Sequence, residues 1–469
     1  MLQNSSYTDL PDHAYAQIET RSASSPTLLA WNTNLARELG LDSLADTDDE
    51  RARLFSGGGD TSAALALAYA GHQFGQFVPQ LGDGRAALLG EVILSGGDRF
   101  DIQLKGSGRT PYSRGGDGRS ALGPVIREYV VSEAMHALGV PTTRALAAVA
   151  TGEKVARQSL EPGGVFTRVA SSHLRVGTFE YFAARGDTET LKALADYALR
   201  RHYPDRADGA APYLALFNEV AKRQAVLVAH WMSIGFIHGV MNTDNTSVSG
   251  ETIDYGPCAF MDEFRHDKVF SSIDRFGRYA YGNQPPIAQW NLARFAETLL
   301  LLDDNKQAYE AALRDFGGSY ETAYMGRMRA KLGLSTEDPD DVSLVSDWLD
   351  ALQTAGADFA LAHRELAERY AADESVEFGE VEERWRTRVA DEGFTRDQVR
   401  DRMHGVNPLY IPRNHRVEEA IQGAYAGDLT VFHELVAVLA KPFEEQAGRE
   451  RYAEPPRPEE RVTQTFCGT

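Results

Sequence analysis

The stretch HGVMNTDNTSVSGETIDYGPCAF, residues 238–260, concentrates oxygen-bearing side chains in one short part of a 469-residue chain. Asn245 follows seven residues after His238, and Asp254 follows nine residues after Asn245. Amide and carboxylate oxygens are ligands that Mg²⁺ and Mn²⁺ prefer, and one or two suffice when substrate phosphates complete the shell. Asp244 adds a carboxylate that can accept a proton. The stretch therefore predicts a metal-dependent site for phosphates, although NTDN alone is also a common Asx-rich turn.

Protein kinases arrange their catalytic groups in a comparable order, H-R-D-x-x-x-x-N followed by D-F-G. The spacing of His238 and Asn245 is the same here, but Val240 occupies the position of the kinase base. Asp244 is the obvious carboxylate to replace that base. Val240 counts against ordinary phosphorylation, and a plain protein kinase stays open as an alternative.

The segment upstream of this stretch predicts a nucleotide-binding sheet. RAALLGEVIL (85–94) and RFDIQLKG (99–106) form a predicted hairpin, because apolar and polar residues alternate strictly in the second strand. Lys105 ends that strand, and Glu128 lies in the predicted helix PVIREYVVSEAMHALGV (124–140). A strand lysine fixed by a helix glutamate binds the nucleotide phosphates in kinases. Each residue alone is more often a surface charge.

Glycines and arginines nearby are further candidates for phosphate binding. Glycine lets backbone N–H groups approach phosphate oxygens, and guanidinium groups offer forked donors that stay charged. Taken singly, such residues are more often tight turns or structural ion pairs. The candidates are Gly82 and Gly84 before the first strand, Asp117 and Gly118 in the loop RGGDGRS, and Arg168 and Arg175.

The composition limits the partners and the compartment. A net charge of −20, from 48 basic and 68 acidic residues, argues against nucleic acid or an anionic membrane as a partner. The N-terminus has no secretory signal pattern, and the apolar stretch 225–240 is too short to span a bilayer. Two cysteines, Cys258 and Cys467, fit a reducing compartment. We expect a cytoplasmic protein.

The order of predicted elements indicates an α+β chain with a sheet-rich first lobe and a larger helical second lobe. A helix is expected to start within SASSPTLLAWNTNLARELGL (22–41), a strand pair at ALAAVATGEKVAR and GGVFTRVAS, and helices dominate from residue 187. The predicted division is an N-terminal extension (1–80), a first lobe (81–180), a second lobe with the catalytic loop (181–330), a C-terminal helical region (331–451) and a mobile tail (452–469).

Taken together, these motifs resemble the selenoprotein O family, called YdiU in bacteria. The resemblance covers nearly the whole chain and is carried by YAGHQFGQFVPQLGDGRA (69–86), QLKGSGRTPYSRGGDGRSALGPVIREY (103–129), HGVMNTDN with DYGPCAFMD, QPPIAQWNLARFAE (284–297) and NPLYIPRNHRVEEA (407–420). It implies a protein-kinase-like fold that binds ATP in reversed orientation. It further implies transfer of AMP to Ser, Thr or Tyr hydroxyls of protein substrates with release of pyrophosphate, and UMP transfer from UTP is also ascribed to the bacterial branch.

The resemblance also implies a role for each candidate residue. Asp244 would accept the proton, Glu128 would position Lys105, and Asn245 and Asp254 would hold Mg²⁺ or Mn²⁺. The implied nucleotide-binding residues are Gly82, Gly84, Arg85, Lys105, Asp117, Gly118, Arg168, Arg175 and Asp254. A catalytically inactive nucleotide-binding scaffold is the alternative, and the presence of both metal ligands argues against it.

The two cysteines suggest a redox-dependent contact. Cys467 stands three residues from the end, where eukaryotic members of the family carry selenocysteine, so strong selenol chemistry is not expected here. Cys258 lies two residues beyond Asp-Tyr-Gly, in the segment that regulates kinases. We hypothesise a reversible bond between Cys258 and Cys467, and two unrelated thiols are the alternative.

Overall fold

A computed structural model describes residues 2–59, 61–157 and 159–466. Its strands are β1 (Tyr15–Gln17), β2 (Thr27–Trp31), β3 (Leu65–Leu67), β4 (Gly71–Gln73), β5 (Gln76–Val78), β6 (Ala86–Ile93), β7 (Arg99–Lys105), β8 (Ser120–Ala121), β9 (Arg144–Ala156), β10 (Leu160–Ala170), β11 (Phe236–Ile237) and β12 (Ala259–Phe260). Its first helices are α1 (Thr33–Glu38), α2 (Asp48–Arg53), α3 (Leu122–Ala137), α4 (Val176–Ala183), α5 (Thr188–His202), α6 (Pro212–Ser233) and α7 (Gln284–Leu299). The remaining helices are α8 (Lys306–Lys331), α9 (Asp341–Ala355), α10 (Phe359–Ala371), α11 (Glu380–Ala390), α12 (Arg396–His404), α13 (Asn414–Tyr425) and α14 (Thr430–Leu439).

An antiparallel sheet in the first part of the chain carries the order β1-β3-β6-β7-β10-β9-β2, with β8 beside β10. The predicted hairpin β6–β7 and the predicted strand pair β9–β10 are confirmed. Lys105 lies opposite Ala86 on one side and Phe166 on the other, so it is fixed near the middle of the sheet. Polar side chains on β7 are buried: Asp101 accepts hydrogen bonds from Arg201 of α5 and from the backbone N–H of His173.

The helix expected to start within 22–41 is confirmed as α1, and it is preceded there by a strand that the sequence analysis did not identify. Thr27–Trp31 forms β2 and pairs with β9, and α1 begins only after Asn32. The Asn32 side chain accepts a hydrogen bond from the backbone N–H of Leu35 at 3.1 Å and caps the helix. Local apolar spacing alone does not reveal a sheet partner more than 100 residues away, which decides the conformation here.

The helices predicted from residue 187 onward are confirmed, and α9 and α10 account for the two expected in 335–380. The last two helices return to the sheet and cover α3. Tyr129 of α3 shares a buried apolar cluster with Ile421 of α13 and Phe432 of α14. The rings of Tyr129 and Phe432 meet edge to face with centroids 5.6 Å apart. The helix that carries Glu128 is therefore held from outside by the C-terminal helices.

The described end of the predicted tail contacts the segment that follows Cys258. The backbone N–H of Thr465 donates to the carbonyl of Phe270 at 2.8 Å, and its hydroxyl donates to the carbonyl of Pro257 at 2.5 Å. Cys467 lies outside the described residues, so its contact with Cys258 stays a prediction. Among the described helices, none has the length and apolar character needed to cross a bilayer.

Candidate active site

Five charged side chains from four separate parts of the chain meet at the end of β7. Lys105 Nζ lies 2.7 Å from Glu128 Oε2 and 2.7 Å from Asp254 Oδ1. Arg168 Nη2 contacts Glu128 and lies 2.7 Å from Asp254 Oδ1, while Arg175 Nη1 lies 2.8 Å from Asp254 Oδ2. The structure thus brings together five of the candidate residues that the sequence pattern selected, and the other candidates lie outside this cluster of ion pairs.

Asp254 is the common partner of the three cations. Burial alone would raise its pKa, but Arg168, Lys105 and Arg175 together hold the pKa of Asp254 well below its usual range. The carboxylate is therefore ionised at neutral pH and available as an oxygen ligand. Its backbone has φ 66°, a left-handed conformation in which aspartate and asparagine are better tolerated than most residues.

The carboxylate of Asp244 lies on a short 3₁₀ turn, Thr243–Asn245, and is joined to the charge cluster through Arg175. Arg175 Nη1 donates to the backbone carbonyl of Asp244 at 2.7 Å. The side chain is buried: Oδ2 accepts from Gln73 Nε2 at 3.3 Å, whereas Oδ1 has no hydrogen-bond partner among the described residues. Burial raises the pKa of Asp244 to about 7, although Arg175 opposes this. Such a group exchanges a proton near neutral pH.

The β4–β5 hairpin covers Asp244, a feature that the sequence analysis missed. A Cβ atom added to Gly71 would collide with the Asp244 carboxylate. The backbone N–H of Phe74 donates to Asn242 Oδ1 at 3.2 Å and to the Tyr279 hydroxyl at 3.0 Å. Phe74 and Gly75 have positive φ and form the two-residue turn of the hairpin. The only sequence signal for this turn was the glycine at its second position.

A buried acid supports the turn that carries Asp244. Glu180 of α4 contacts the Thr243 hydroxyl, and its Oε1 lies 2.5 Å from His72 Nδ1. The backbone N–H of His72 donates to Thr243 Oγ1 at 2.7 Å. Burial raises the pKa of Glu180 to about 7. These residues fix the hairpin to the turn, and short sequence motifs gave no indication of them.

The glycine-rich candidates are packed against the loop that follows β7. Added Cβ atoms at Gly82 and Gly84 would collide with the side chain or backbone of Tyr112, and Gly82 has φ 75°. The backbone carbonyl of Arg85 accepts from Gly106 N at 2.7 Å, next to Lys105. Close packing accounts for both glycines in the free protein.

Asp117 and Gly118 form a turn away from the five-residue cluster. Asp117 Oδ1 accepts from the backbone N–H of Arg119 at 2.9 Å, and Oδ2 lies 2.9 Å from Arg157 Nη1. An added Cβ at Gly118 would collide with Gly108. No contact joins these two residues to Asp254 or Asp244 in the described chain.

The donors at Asn245 and Asp254 fit a hard divalent cation. Asn245 Nδ2 donates to the Val240 carbonyl at 2.9 Å, which leaves the amide oxygen as the atom able to bind a metal. Asp254 supplies an ionised carboxylate, and an oxygen pair of this kind suits Mg²⁺ or Mn²⁺ when phosphates and water complete the shell. No group of three or more His, Cys, Asp or Glu side chains among the described residues forms an all-protein metal cage.

Comparison with known proteins assigns the chain to a class of transferase. The family model described as "Protein adenylyltransferase SelO" matches residues 2–440. A protein nucleotidyltransferase YdiU of Rhodopseudomonas palustris is 55% identical over 487 residues, with 99% of each chain covered. Proteins of the same name from Nitrobacter winogradskyi and Rhizobium meliloti are 54% and 53% identical, covering 99% of this chain and 96% and 99% of theirs.

These matches span both the sheet and the helical part, including every residue of the charge cluster. The chain belongs to the SelO family of protein adenylyltransferases, a family of nucleotidyltransferases.

Proposed function

We propose that this protein transfers AMP from ATP to Ser, Thr or Tyr hydroxyls of protein substrates and releases pyrophosphate. The observation that carries the proposal is the buried, unpartnered Oδ1 of Asp244, a residue whose backbone carbonyl contacts Arg175, one of the three cations that share Asp254. A proton acceptor next to a phosphate-binding cluster is what nucleotidyl transfer to an alcohol requires.

A protein-kinase-like, two-lobed fold is part of the proposal, and the order of the site residues along the chain supports it. A strand lysine paired with a helix glutamate, followed along the chain by a catalytic turn and a metal-binding aspartate, is the kinase order. Val240, at the position of the kinase base, is a buried apolar residue and cannot accept a proton. In a reversed nucleotide, the α-phosphorus takes the place next to the acceptor, and Asp244 becomes the base.

The chemical step follows from these positions. The hydroxyl oxygen of the substrate attacks the α-phosphorus, a new O–P bond forms, and the bond between the α-phosphorus and the bridging oxygen breaks. The hydroxyl proton passes to Asp244 Oδ1, and the electron pair of the broken bond leaves on pyrophosphate. Burial of Asp244 favours this transfer, because a carboxylate with a pKa of about 7 holds a proton more readily than an exposed one.

The cations bind the charged part of the nucleotide. Lys105, positioned by Glu128, and the two forked donors Arg168 and Arg175 would exchange Asp254 contacts for phosphate contacts. A divalent cation held by Asn245 and Asp254 would offset charge on the phosphates. Gly82, Gly84, Arg85, Asp117 and Gly118 are proposed to line the remaining nucleotide site. UTP as a second donor is part of the same proposal.

The position of the label separates adenylyl transfer from phosphoryl transfer. The protein is incubated with Mg²⁺ or Mn²⁺ and ATP labelled at either the α- or the γ-phosphate, with a mixture of folded proteins as acceptors. We expect the α-label on protein, its release as AMP by mild phosphodiesterase, and its loss in Asp244→Asn. Retention of the γ-label would show a kinase, and retention of neither label with intact ATP binding would show a scaffold.

The disulfide between Cys258 and Cys467 and a cytoplasmic location remain predictions from the sequence. The 2.5 Å hydrogen bond from Thr465 to Pro257 supports the first, because it brings residue 465 next to the neighbour of Cys258. Peptide mapping under non-reducing conditions after mild oxidation should find a 258–467 link. Its absence would leave two independent thiols.

A further inference from the structure

Four exposed apolar side chains lie on neighbouring segments of the molecule. The described chain exposes nine large apolar side chains, and four of them are Phe77, Ile273, Phe276 and Phe466. We call these four residues the aromatic surface. Phe276 is 99% exposed and Phe466 is 61% exposed, which is costly unless a partner covers them. The four residues lie on three segments that contact one another.

The contacts between the three segments are specific. The backbone N–H of Ser272 donates to the Thr465 carbonyl at 3.0 Å, which places Phe466 beside the chain that leads to Ile273. The β4–β5 turn reaches the other end of the same segment, where the rings of Phe74 and Tyr279 lie 5.0 Å apart. The aromatic surface therefore belongs to one packed region.

The loop that presents Phe276 is held in place. The Asp274 carboxylate is buried and accepts backbone hydrogen bonds from Arg278 at 2.9 Å and from Tyr279 at 2.8 Å. Two further backbone bonds close the turn, from Asp274 N to the Ser271 carbonyl and from Gly277 N to the Asp274 carbonyl. A fixed loop lowers the entropy cost of binding a partner.

The aromatic surface is continuous with the proposed proton acceptor. The Tyr279 hydroxyl donates to Asn242 Oδ1 at 2.6 Å, two residues before Asp244. Gln73 follows Gly71 and His72 on β4 and donates to the Asp244 carboxylate. A polypeptide bound across Phe276 and Phe77 would thus run beside the residues that surround Asp244.

The charge of this region differs from that of the whole chain. Lys268, Arg275 and Arg278 take part in no salt bridge among the described residues, and the Asp274 carboxylate accepts backbone hydrogen bonds within its own loop. Lys268 lies over the Phe270 ring and Arg278 over the Trp290 ring, each 4.8 Å from the ring centroid. The whole chain carries a net charge of −20. Three cations that form no salt bridge, beside exposed apolar side chains, complement a partner that is both apolar and acidic.

We propose that the aromatic surface, with Lys268, Arg275 and Arg278, binds the protein substrate. The segment it fits carries the acceptor hydroxyl with an aromatic or branched side chain and acidic residues on either side. The identification of the bound segment as a substrate rests on the proposed function, whereas its binding can be measured independently of AMP transfer.

Three fluorescent 15-residue peptides with one central serine test the binding. The first has phenylalanine near the serine and flanking Asp and Glu, the second replaces the acidic residues by lysine, and the third replaces phenylalanine by alanine. Fluorescence anisotropy should show the first peptide binding at least about tenfold more tightly than the others. Phe276→Ala should weaken the first peptide about tenfold and leave the alanine peptide unchanged. Arg275→Glu should shift the preference toward the lysine peptide.

Leu160→Ala is the matched control, because Leu160 is 68% exposed on the β9–β10 pair and lies outside the aromatic surface. It should bind all peptides as the unaltered protein does. Equal binding of the three peptides, or unchanged binding by Phe276→Ala and Arg275→Glu, would overturn the inference.

Transfer of the α-label from ATP to the same peptides separates the two proposals. If the peptides bind selectively but no α-label appears on peptide, on mixed proteins or on the enzyme, the proposed function is refuted and only a peptide-binding surface remains. If Phe276→Ala and Arg275→Glu label the peptides as the unaltered protein does, the proposed function stands and the aromatic surface is refuted as the docking site.

Discussion

Gly71 shows how a residue without a side chain determines access to a reactive one. Its Cα packs against the Asp244 carboxylate so closely that a methyl group would collide with it. Gln73, two residues further on, donates to the same carboxylate. The hairpin therefore fixes the position of the Asp244 carboxylate in two ways: Gly71 packs directly against it, and Gln73 donates a hydrogen bond to it.

We expect Gly71→Ala to displace Asp244 or the hairpin and to lower AMP transfer by about tenfold or more, because small misplacements of a catalytic group are costly. The unfolding free energy should fall by about 1–3 kcal/mol. Transfer of the α-label and chemical denaturation measure the two effects.

Gly317→Ala is the control for this substitution. Gly317 lies inside α8, and an added Cβ meets no atom within 4 Å, so the variant should keep full activity and be slightly more stable. Full activity in Gly71→Ala would show that the hairpin moves away before the reaction.

Lys331 carries a second prediction, on stability and pH. The side chain is 3% exposed, donates to Asn407 Oδ1 at 2.7 Å and has no salt-bridge partner in the described chain. Burial lowers the pKa of Lys331 from 10.5 to about 7. Between these values the unfolded chain binds more protons than the folded one, so this group makes stability rise with pH.

The contribution of Lys331 should increase by on the order of 2 kcal/mol between pH 7 and pH 9. Urea denaturation at several pH values measures this contribution as the difference in unfolding free energy between the unaltered protein and Lys331→Met. The slope of unfolding free energy against pH that Lys331 contributes should be absent in Lys331→Met. Lys441→Met removes an exposed lysine and should leave the slope unchanged. An equal slope in Lys331→Met would mean that Lys331 is hydrated in solution.

At the scale of elements, α3 links the nucleotide site to the end of the chain. One face of α3 presents Glu128, which forms an ion pair with Lys105, and another face packs in a buried apolar cluster with α13 and α14. Phe432 is fully buried there. The position of Glu128 thus depends on helices that begin almost 300 residues later.

Phe432→Ala should lower the unfolding free energy by about 3–5 kcal/mol, because it leaves a cavity beneath Tyr129. It should also weaken ATP binding, since α3 loses part of its support. Denaturation and calorimetric titration with ATP measure the two quantities. Val342→Ala, at a position 51% exposed on α9, is the control. Unchanged ATP affinity in a destabilised Phe432→Ala would show that α3 is held sufficiently by the sheet.

The whole molecule explains which features the sequence could predict. Lys105 and Glu128 were predicted because they lie on a strand and a helix whose periodicity is local, and Asp254 because it stands in the short motif Asp-Tyr-Gly. The cover over Asp244 was not found, because Gln73 and Asp244 are 171 residues apart and only tertiary packing brings them together. The same reason explains why TLLAW was not identified as the strand β2, whose partner β9 lies more than 100 residues away.

Removing residues 406–469 tests the fold at this scale. The shortened chain loses α13 and α14 and exposes the outer face of α3, so we expect aggregation or loss of cooperative thermal unfolding. Light scattering and circular dichroism measure the two outcomes. A soluble chain with a cooperative transition would show that the sheet and the earlier helices fold without this cover.

The charge cluster has a practical consequence for anyone who handles the protein. Three cations face only two carboxylates there, so the cluster has an excess of positive charge inside an acidic molecule. Sulfate or inorganic phosphate in a storage buffer should occupy this site and compete with ATP. The affinity for ATP would then be underestimated in such buffers, and a buffer without multivalent anions should give the higher, uncompeted value.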